Sequence, residues 1–144
     1  MMAVFERTDA VQSKPRKILV TGGAGYIGSH MVLALRDAGE QPVVLDNLST
    51  GSRGSVPAGV PFYRGDCGDR QIVQSILKEH FIDAIVHFAA SIVVSDSVVE
   101  PLAYYENNTA KSRALIETAI RCGVSKFIFS VSYTHLTLPT NREV

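Results

Sequence analysis

The stretch Thr21-Gly22-Gly23-Ala24-Gly25-Tyr26-Ile27-Gly28 constrains this chain more than any other. It sits between a β-branched apolar run, Lys17-Ile18-Leu19-Val20-Thr21, and a helical stripe carried by Ile27, Met31, Leu35 and Ala38, with Gly39 placed to end the helix. A strand that enters a glycine-rich turn and leaves as a helix brings unpaired backbone N–H groups to one point, where the helix dipole favours an anion. The glycines fit G-x-G-x-x-G through Gly23, Gly25 and Gly28, and G-x-x-G-x-x-G through Gly22, Gly25 and Gly28. In this fingerprint one glycine makes the turn, one admits a pyrophosphate to the backbone, and Gly28 lets the helix lie close to the sheet.

The remainder of the chain repeats the alternation. Pro42-Val43-Val44-Leu45 reads as a second strand, residues 46–61 as a loop rich in Gly, Ser and Pro, and Phe62-Tyr63-Arg64 as a third strand. Asp69 is placed to cap a helix running to about His80, with Ile72, Val73, Ile76 and Leu77 on one face. Ala84 to Phe88 is a fourth strand, a long helix is expected after Pro101 and before Gly123, and Lys126 to Ser130 is a fifth strand. Strands alternating with helices predict an α/β Rossmann fold: a parallel sheet with helices on both faces, truncated after about five strands. Asp46 ends the second strand 18 residues after Gly28, close to the ~20 at which a carboxylate bonds the adenosine ribose hydroxyls. A carboxylate there repels a 2′-phosphate, so the expected cofactor is NAD rather than NADP.

Composition narrows the alternatives. With 144 residues, 46% of them hydrophobic and 19% charged, the chain can bury the core of one domain and is not disordered by composition. Its 14 basic and 14 acidic residues balance, which argues against nucleic acid or an anionic membrane as partner. The apolar runs fall well short of the ~20 residues that span a bilayer. Met1 to Arg16 has no signal-peptide h-region and carries Glu6 and Asp9, so residues 1–16 read as a mobile extension of a cytoplasmic chain. Cys67 and Cys122 stand far apart without C-x-x-C spacing and read as reduced thiols, with no metal site expected.

Together the glycine loop, Asp46-Asn47-Leu48-Ser49-Thr50-Gly51, Gly65-Asp66, His87-Phe88-Ala89-Ala90 and Tyr104-Tyr105-Glu106-Asn107-Asn108 resemble the extended short-chain dehydrogenase/reductases. Within them the UDP-glucose 4-epimerases are the nearest resemblance, over Lys17 to Ser130. The resemblance implies that Tyr26 and Ile27 meet the pyrophosphate through their main chain. It places Asp46 and Asn47 on the ribose with Leu48, Ser49, Thr50 and Gly51 nearby, and Asp66 on the adenine amino group with Cys67 beside it. By the same resemblance Phe88, Ala89 and Ala90 would form a wall along the NAD, and Asn107 would reach back to the cofactor side of the sheet. Substrates of the complete enzyme are then UDP-glucose and UDP-galactose, interconverted through a 4-keto sugar in galactose metabolism, and a homodimer is common in this family. Decarboxylases and dehydratases of nucleotide sugars come close, and a non-catalytic NAD-binding module is the alternative from another class. One departure is Ile92, where many epimerases place a lysine four residues after this phenylalanine.

Plainer readings stand beside these. Asp66 and Asp69 also fit a turn and a helix cap, and Asn107 and Asn108, poor helix formers, also fit a structural role. His87 reads as a packing histidine, His30 and His80 as solvent-facing, and Tyr104 and Tyr105 as packing residues. The family's chemistry needs a tyrosine base in Tyr-x-x-x-Lys, and four residues after Tyr133 stands Thr137, so no catalytic residue is assigned and the chain alone is expected to be inactive. Val131 to Thr140 breaks the pattern and resembles a translated sequencing-library adapter, which makes 131–144 a candidate non-native tail. Without further strands the fifth strand's edge stays open, so the chain alone is expected to be poorly soluble and to bind NAD weakly if at all.

Overall fold

The computed structural model describes residues 14–91 and 94–130. The five apolar runs become β1 (Lys17–Thr21), β2 (Gln41–Asp46), β3 (Phe62–Arg64), β4 (Ala84–His87) and β5 (Lys126–Phe129), in one sheet of order β3-β2-β1-β4-β5. Every pairing is parallel, with Val20 opposite Val44 on one side and Val86 on the other. The chain order reverses between β1 and β4, and in open α/β sheets the crevice at that switch point takes the ligand.

Among the described residues five α-helices accompany the strands: α1 (Tyr26–Asp37), α2 (Arg70–His80), α3 (Val94–Val99), α4 (Pro101–Tyr105) and α5 (Lys111–Arg121). Alternate strand residues face opposite layers. Leu19, Val43, Leu45 and Ile85 pack with Val73, Ile76 and Leu77 of α2 and with Leu115 and Ala119 of α5. Ile18, Val20, Val44, Ala84 and Val86 pack with Val32 of α1 and with Val56 and Val60 of the connection between β2 and β3. Helices therefore cover both faces, as the strand–helix alternation predicts. Leu19, Val20, Val44 and Ile85 are fully buried, each worth about 1.5–3 kcal/mol relative to exposure.

Asp69 caps α2, its Oδ1 accepting from the backbone N–H of Gln71 at 2.9 Å and of Ile72 at 3.3 Å. Asp69→Ala is expected to lower stability by about 1 kcal/mol, read as a lower urea midpoint at unchanged slope.

The single long helix expected after Pro101 is instead interrupted. A π turn, Glu106–Ala110, separates α4 from α5, and α3 precedes Pro101 where the sequence pattern predicts no helix. The π turn inserts one extra residue into the helical path. It falls on Asn107 and Asn108, whose side chains bond outside the helix.

Order also begins before Lys17. Arg16 pairs with Glu40 at 2.7 Å, and its carbonyl accepts from Gln41 N at 2.9 Å. The rest of the proposed extension through residue 13, Ile92, and the tail 131–144 lie outside the described residues. Among the described residues no helix is long and apolar enough to cross a membrane, and no three His, Cys, Asp or Glu gather as metal ligands. No described strand pairs with the outer edge of β5, where Ile128 and Phe129 are exposed.

Candidate cofactor site

The glycine loop crosses the switch point under steric constraint. Gly22 has φ +73°, and a Cβ there would lie 2.7 Å from the backbone N of Ala89. A Cβ on Gly23 would meet Val44 Cγ1 at 2.8 Å, and one on Gly28 would lie 2.1 Å from the carbonyl oxygen of Gly22. Gly25 differs, since its Cβ would meet nothing closer than Gly22 O at 3.4 Å. Both glycine spacings are thus in use: Gly22, Gly23 and Gly28 for close packing, Gly25 for open approach.

Gly25 is also the N-cap of α1, with no side-chain cap and no acidic residue in the first turn. The first N–H groups of a helix have no intrahelical partner. The Tyr26 and Ile27 side chains are exposed. An uncapped helix start beside an open glycine has the donors and the space for a pyrophosphate.

Asp46 braces this loop from the end of β2. It is buried, its Oδ2 accepting from Ala24 N at 2.9 Å and its Oδ1 from Leu48 N at 2.8 Å. Leu48 adopts φ +60°, a left-handed conformation unusual for leucine, held by that second bond. Asn47 Oδ1 accepts from Ser49 N at 2.9 Å, and Ser49 and Thr50 stay exposed. Gly51 closes the loop against the glycine turn: its Cβ would lie 2.7 Å from the carbonyl carbon of Ala24, and Ser52 N bonds Ala24 O at 3.0 Å. A carboxylate oxygen has lone pairs for more than one donor, so Asp46 can brace the loop and still accept from a ribose hydroxyl.

Beyond β3, Gly65 N bonds Asp46 O at 3.1 Å, which sets Asp66 next to the β2 terminus. Asp66 Oδ1 accepts from Gly68 N at 2.7 Å, and its Oδ2 pairs with Lys111 Nζ at 2.6 Å. Cys67 turns into the core, and burial pushes its thiol up to about 11, leaving only its main chain for a ligand. Phe88 and Ala89 are half-buried against opposite core layers and Ala90 is exposed, so the three follow β4 to the mouth of the crevice.

Asn107 Nδ2 donates to Ser91 Oγ at 2.7 Å. Asn108, absent from the predicted site, accepts from Ser91 N at 2.7 Å and donates to Ser91 O at 2.8 Å. The π turn thus clamps the segment after β4. Its sequence signal is the pair of poor helix formers itself. Lys111 carries no such signal.

His87 is the buried polar centre between β1, β4 and α5. Ser112 Oγ–H donates to Asn108 O at 2.7 Å, so Ser112 Oγ accepts from His87 Nε2–H at 2.8 Å. Nδ1 is then the acceptor for the Thr21 hydroxyl at 2.6 Å. Every donor in this chain has one acceptor, and burial holds the imidazole neutral, down to about 4. His87 is the satisfied packing histidine expected. His80 differs from expectation: it is half-buried and bonded to the Tyr63 hydroxyl at 2.7 Å. His30 is exposed, with Nδ1 at 2.7 Å from Tyr26 O.

These features define a dinucleotide-site Rossmann domain, and the comparisons with known proteins give its family. Residues 18–140 match the NAD dependent epimerase/dehydratase family, to which the chain belongs. The UDP-glucose 4-epimerase of Azospirillum brasilense is 50% identical over 123 residues, covering 85% of this chain and 35% of that protein. The Brucella ovis UDP-glucose 4-epimerase solved in complex with NAD superposes with a TM-score of 0.77 at 38% identity, covering 79% of this chain and 35% of that one. The Thermotoga maritima enzyme solved with UDP-glucose gives 0.75 at 40% identity, covering 78% and 37%. The chain is a homologue of UDP-glucose 4-epimerases and spans about a third of the length of the relatives it matches.

Proposed function

We propose that this chain is the NAD-binding portion of a cytoplasmic UDP-glucose 4-epimerase that interconverts UDP-glucose and UDP-galactose as a homodimer. The observation that carries the cofactor half is the uncapped start of α1 at Gly25 beside the buried, loop-bracing carboxylate of Asp46. When bound, NAD supplies a hydride acceptor and donor. The chain's own residues supply the seat. The first turn of α1 binds the pyrophosphate, Asp46 and Asn47 the ribose, and Asp66 the adenine amino group, while Phe88 to Ala90 line the crevice and Asn107 holds the segment beyond it. Half-identity to a curated 4-epimerase supports the sugar. Proton transfer from the sugar needs a Tyr-x-x-x-Lys pair, which these 144 residues do not contain, so the chain by itself is expected to show no turnover of UDP-galactose.

Two measurements test the reading. The complete gene product titrated with NAD and NADP is expected to bind NAD at least about tenfold more tightly, because Asp46 repels a 2′-phosphate. Equal affinities, or a preference for NADP, overturn the assignment of Asp46. The source gene read across the codon for Val131 is expected to leave the adapter-like frame and encode Tyr-x-x-x-Lys, and its complete product is expected to interconvert the two UDP-sugars. A gene that encodes residues 131–144 as given and then stops favours the non-catalytic module instead.

A further inference from the structure

The Asp66–Lys111 ion pair stands where a dinucleotide held by the glycine loop would end. The sheet order gives the course: pyrophosphate beside β1, ribose at Asp46 on β2, then β3, whose last residue Arg64 is two before Asp66. Lys111 opens α5 immediately after the π turn and crosses to Asp66 from the other side of this crevice, Nζ to Oδ2 at 2.6 Å. The other carboxylate oxygen is taken by Gly68 N at 2.7 Å. Gly68 is shaped to this contact, since a Cβ there would lie 2.8 Å from Lys111 Cγ and 3.1 Å from Asp66 Oδ1. The two side chains remain 34% and 27% exposed. Ion pairs this open contribute little to folding, so stability does not account for a lysine, an aspartate and a glycine fitted to one another.

We infer that Lys111 is a positioning residue for base recognition: it fixes the Asp66 carboxylate to accept a hydrogen bond from an exocyclic amino group on the cofactor's purine. The inference rests on the NAD reading above. Without Lys111 the Gly68 N–H alone anchors the Asp66 carboxylate, Oδ2 loses its fixed direction and must be ordered again when ligand binds, which costs affinity. A purine carrying a 6-oxo group presents an acceptor to a carboxylate, two acceptors face each other, and the bond is lost.

The test titrates the complete gene product with NAD and with nicotinamide hypoxanthine dinucleotide, which replaces the 6-amino group by 6-oxo. The unsubstituted chain is expected to prefer NAD by about tenfold. Lys111→Met should weaken NAD by about tenfold and the hypoxanthine analogue by less than about twofold, while Lys111→Arg, which keeps the pair, restores NAD affinity. In an Asp66→Ala background Lys111→Met should add less than about twofold, the signature of one residue acting through another. Thermal midpoints within about 3 °C separate this from unfolding, and Lys111→Arg provides the folded control. Equal weakening of both dinucleotides, or an undiminished effect in the Asp66→Ala background, overturns the inference. NAD binding untouched by Lys111→Met overturns it alone, whereas no NAD binding by the unsubstituted complete product overturns the cofactor reading and the inference with it.

Discussion

Gly28→Ala is expected to cost about 3 kcal/mol of stability, at the upper end for an overpacked site, and to remove measurable NAD binding. The added Cβ would lie 2.1 Å from the oxygen and 2.8 Å from the carbon of the Gly22 carbonyl, and 2.9 Å from Gly23 Cα. All three atoms are backbone, so no side chain can turn aside. Gly22 cannot retreat either, because at φ +73° it already packs against the backbone of Phe88 and Ala89. Either α1 moves off the sheet or the turn distorts, and both displace the N–H groups that would receive phosphate. Gly25→Ala is the informative contrast. Its Cβ meets only Gly22 O, at 3.4 Å, so stability should hold while the methyl group occupies the phosphate's approach. Urea unfolding and NAD titration of the two variants distinguish the roles. A Gly28→Ala chain with parental stability would mean that α1 can shift without cost, contrary to the close packing of Gly28 on the Gly22 carbonyl.

Whatever depends on neighbours along the chain is legible in the sequence. The strands announce themselves as short runs rich in β-branched or aromatic residues, Asp69 as a cap three residues before an apolar face, and Asp46 by its distance from the glycines. The helix after Pro101 reads as continuous because its interruption has no periodic signature. The π turn exists because Asn107 and Asn108 bond Ser91, 16 and 17 residues earlier, and only the fold brings that partner near. Lys111 and Asp66 are 45 residues apart and meet across two elements. His80 falls on a helix position that reads as solvent-facing, yet Tyr63 reaches it from β3. Local sequence therefore delivers the scaffold and the glycine turn, while the Ser91 and Asp66 contacts at the crevice arise from tertiary structure.

Lowering the pH from 7 to 4 is expected to remove about 3 kcal/mol of stability through His87 alone. In the unfolded chain an imidazole titrates near 6.5, whereas in the fold burial lowers His87 to about 4. Between these values the unfolded state binds a proton that the folded state refuses, so stability falls as pH falls. Each pH unit between the two titration points is worth about 1.4 kcal/mol. The contribution is complete above pH 6.5 and lost by about pH 4. Geometry gives the sign independently: Nδ1 must stay unprotonated to accept from Thr21, because the Thr21–His87–Ser112–Asn108 chain already assigns every proton. Carboxylates add their own acid dependence, so the measurement is a difference. Urea unfolding of the parent and of His87→Gln at about pH 7 and pH 4.5 should show the parent losing more stability on acidification by about 2–3 kcal/mol. Parallel losses in the two chains would show that His87 accepts a proton in place, with Thr21 reversing its hydroxyl, and would sink the neutral assignment.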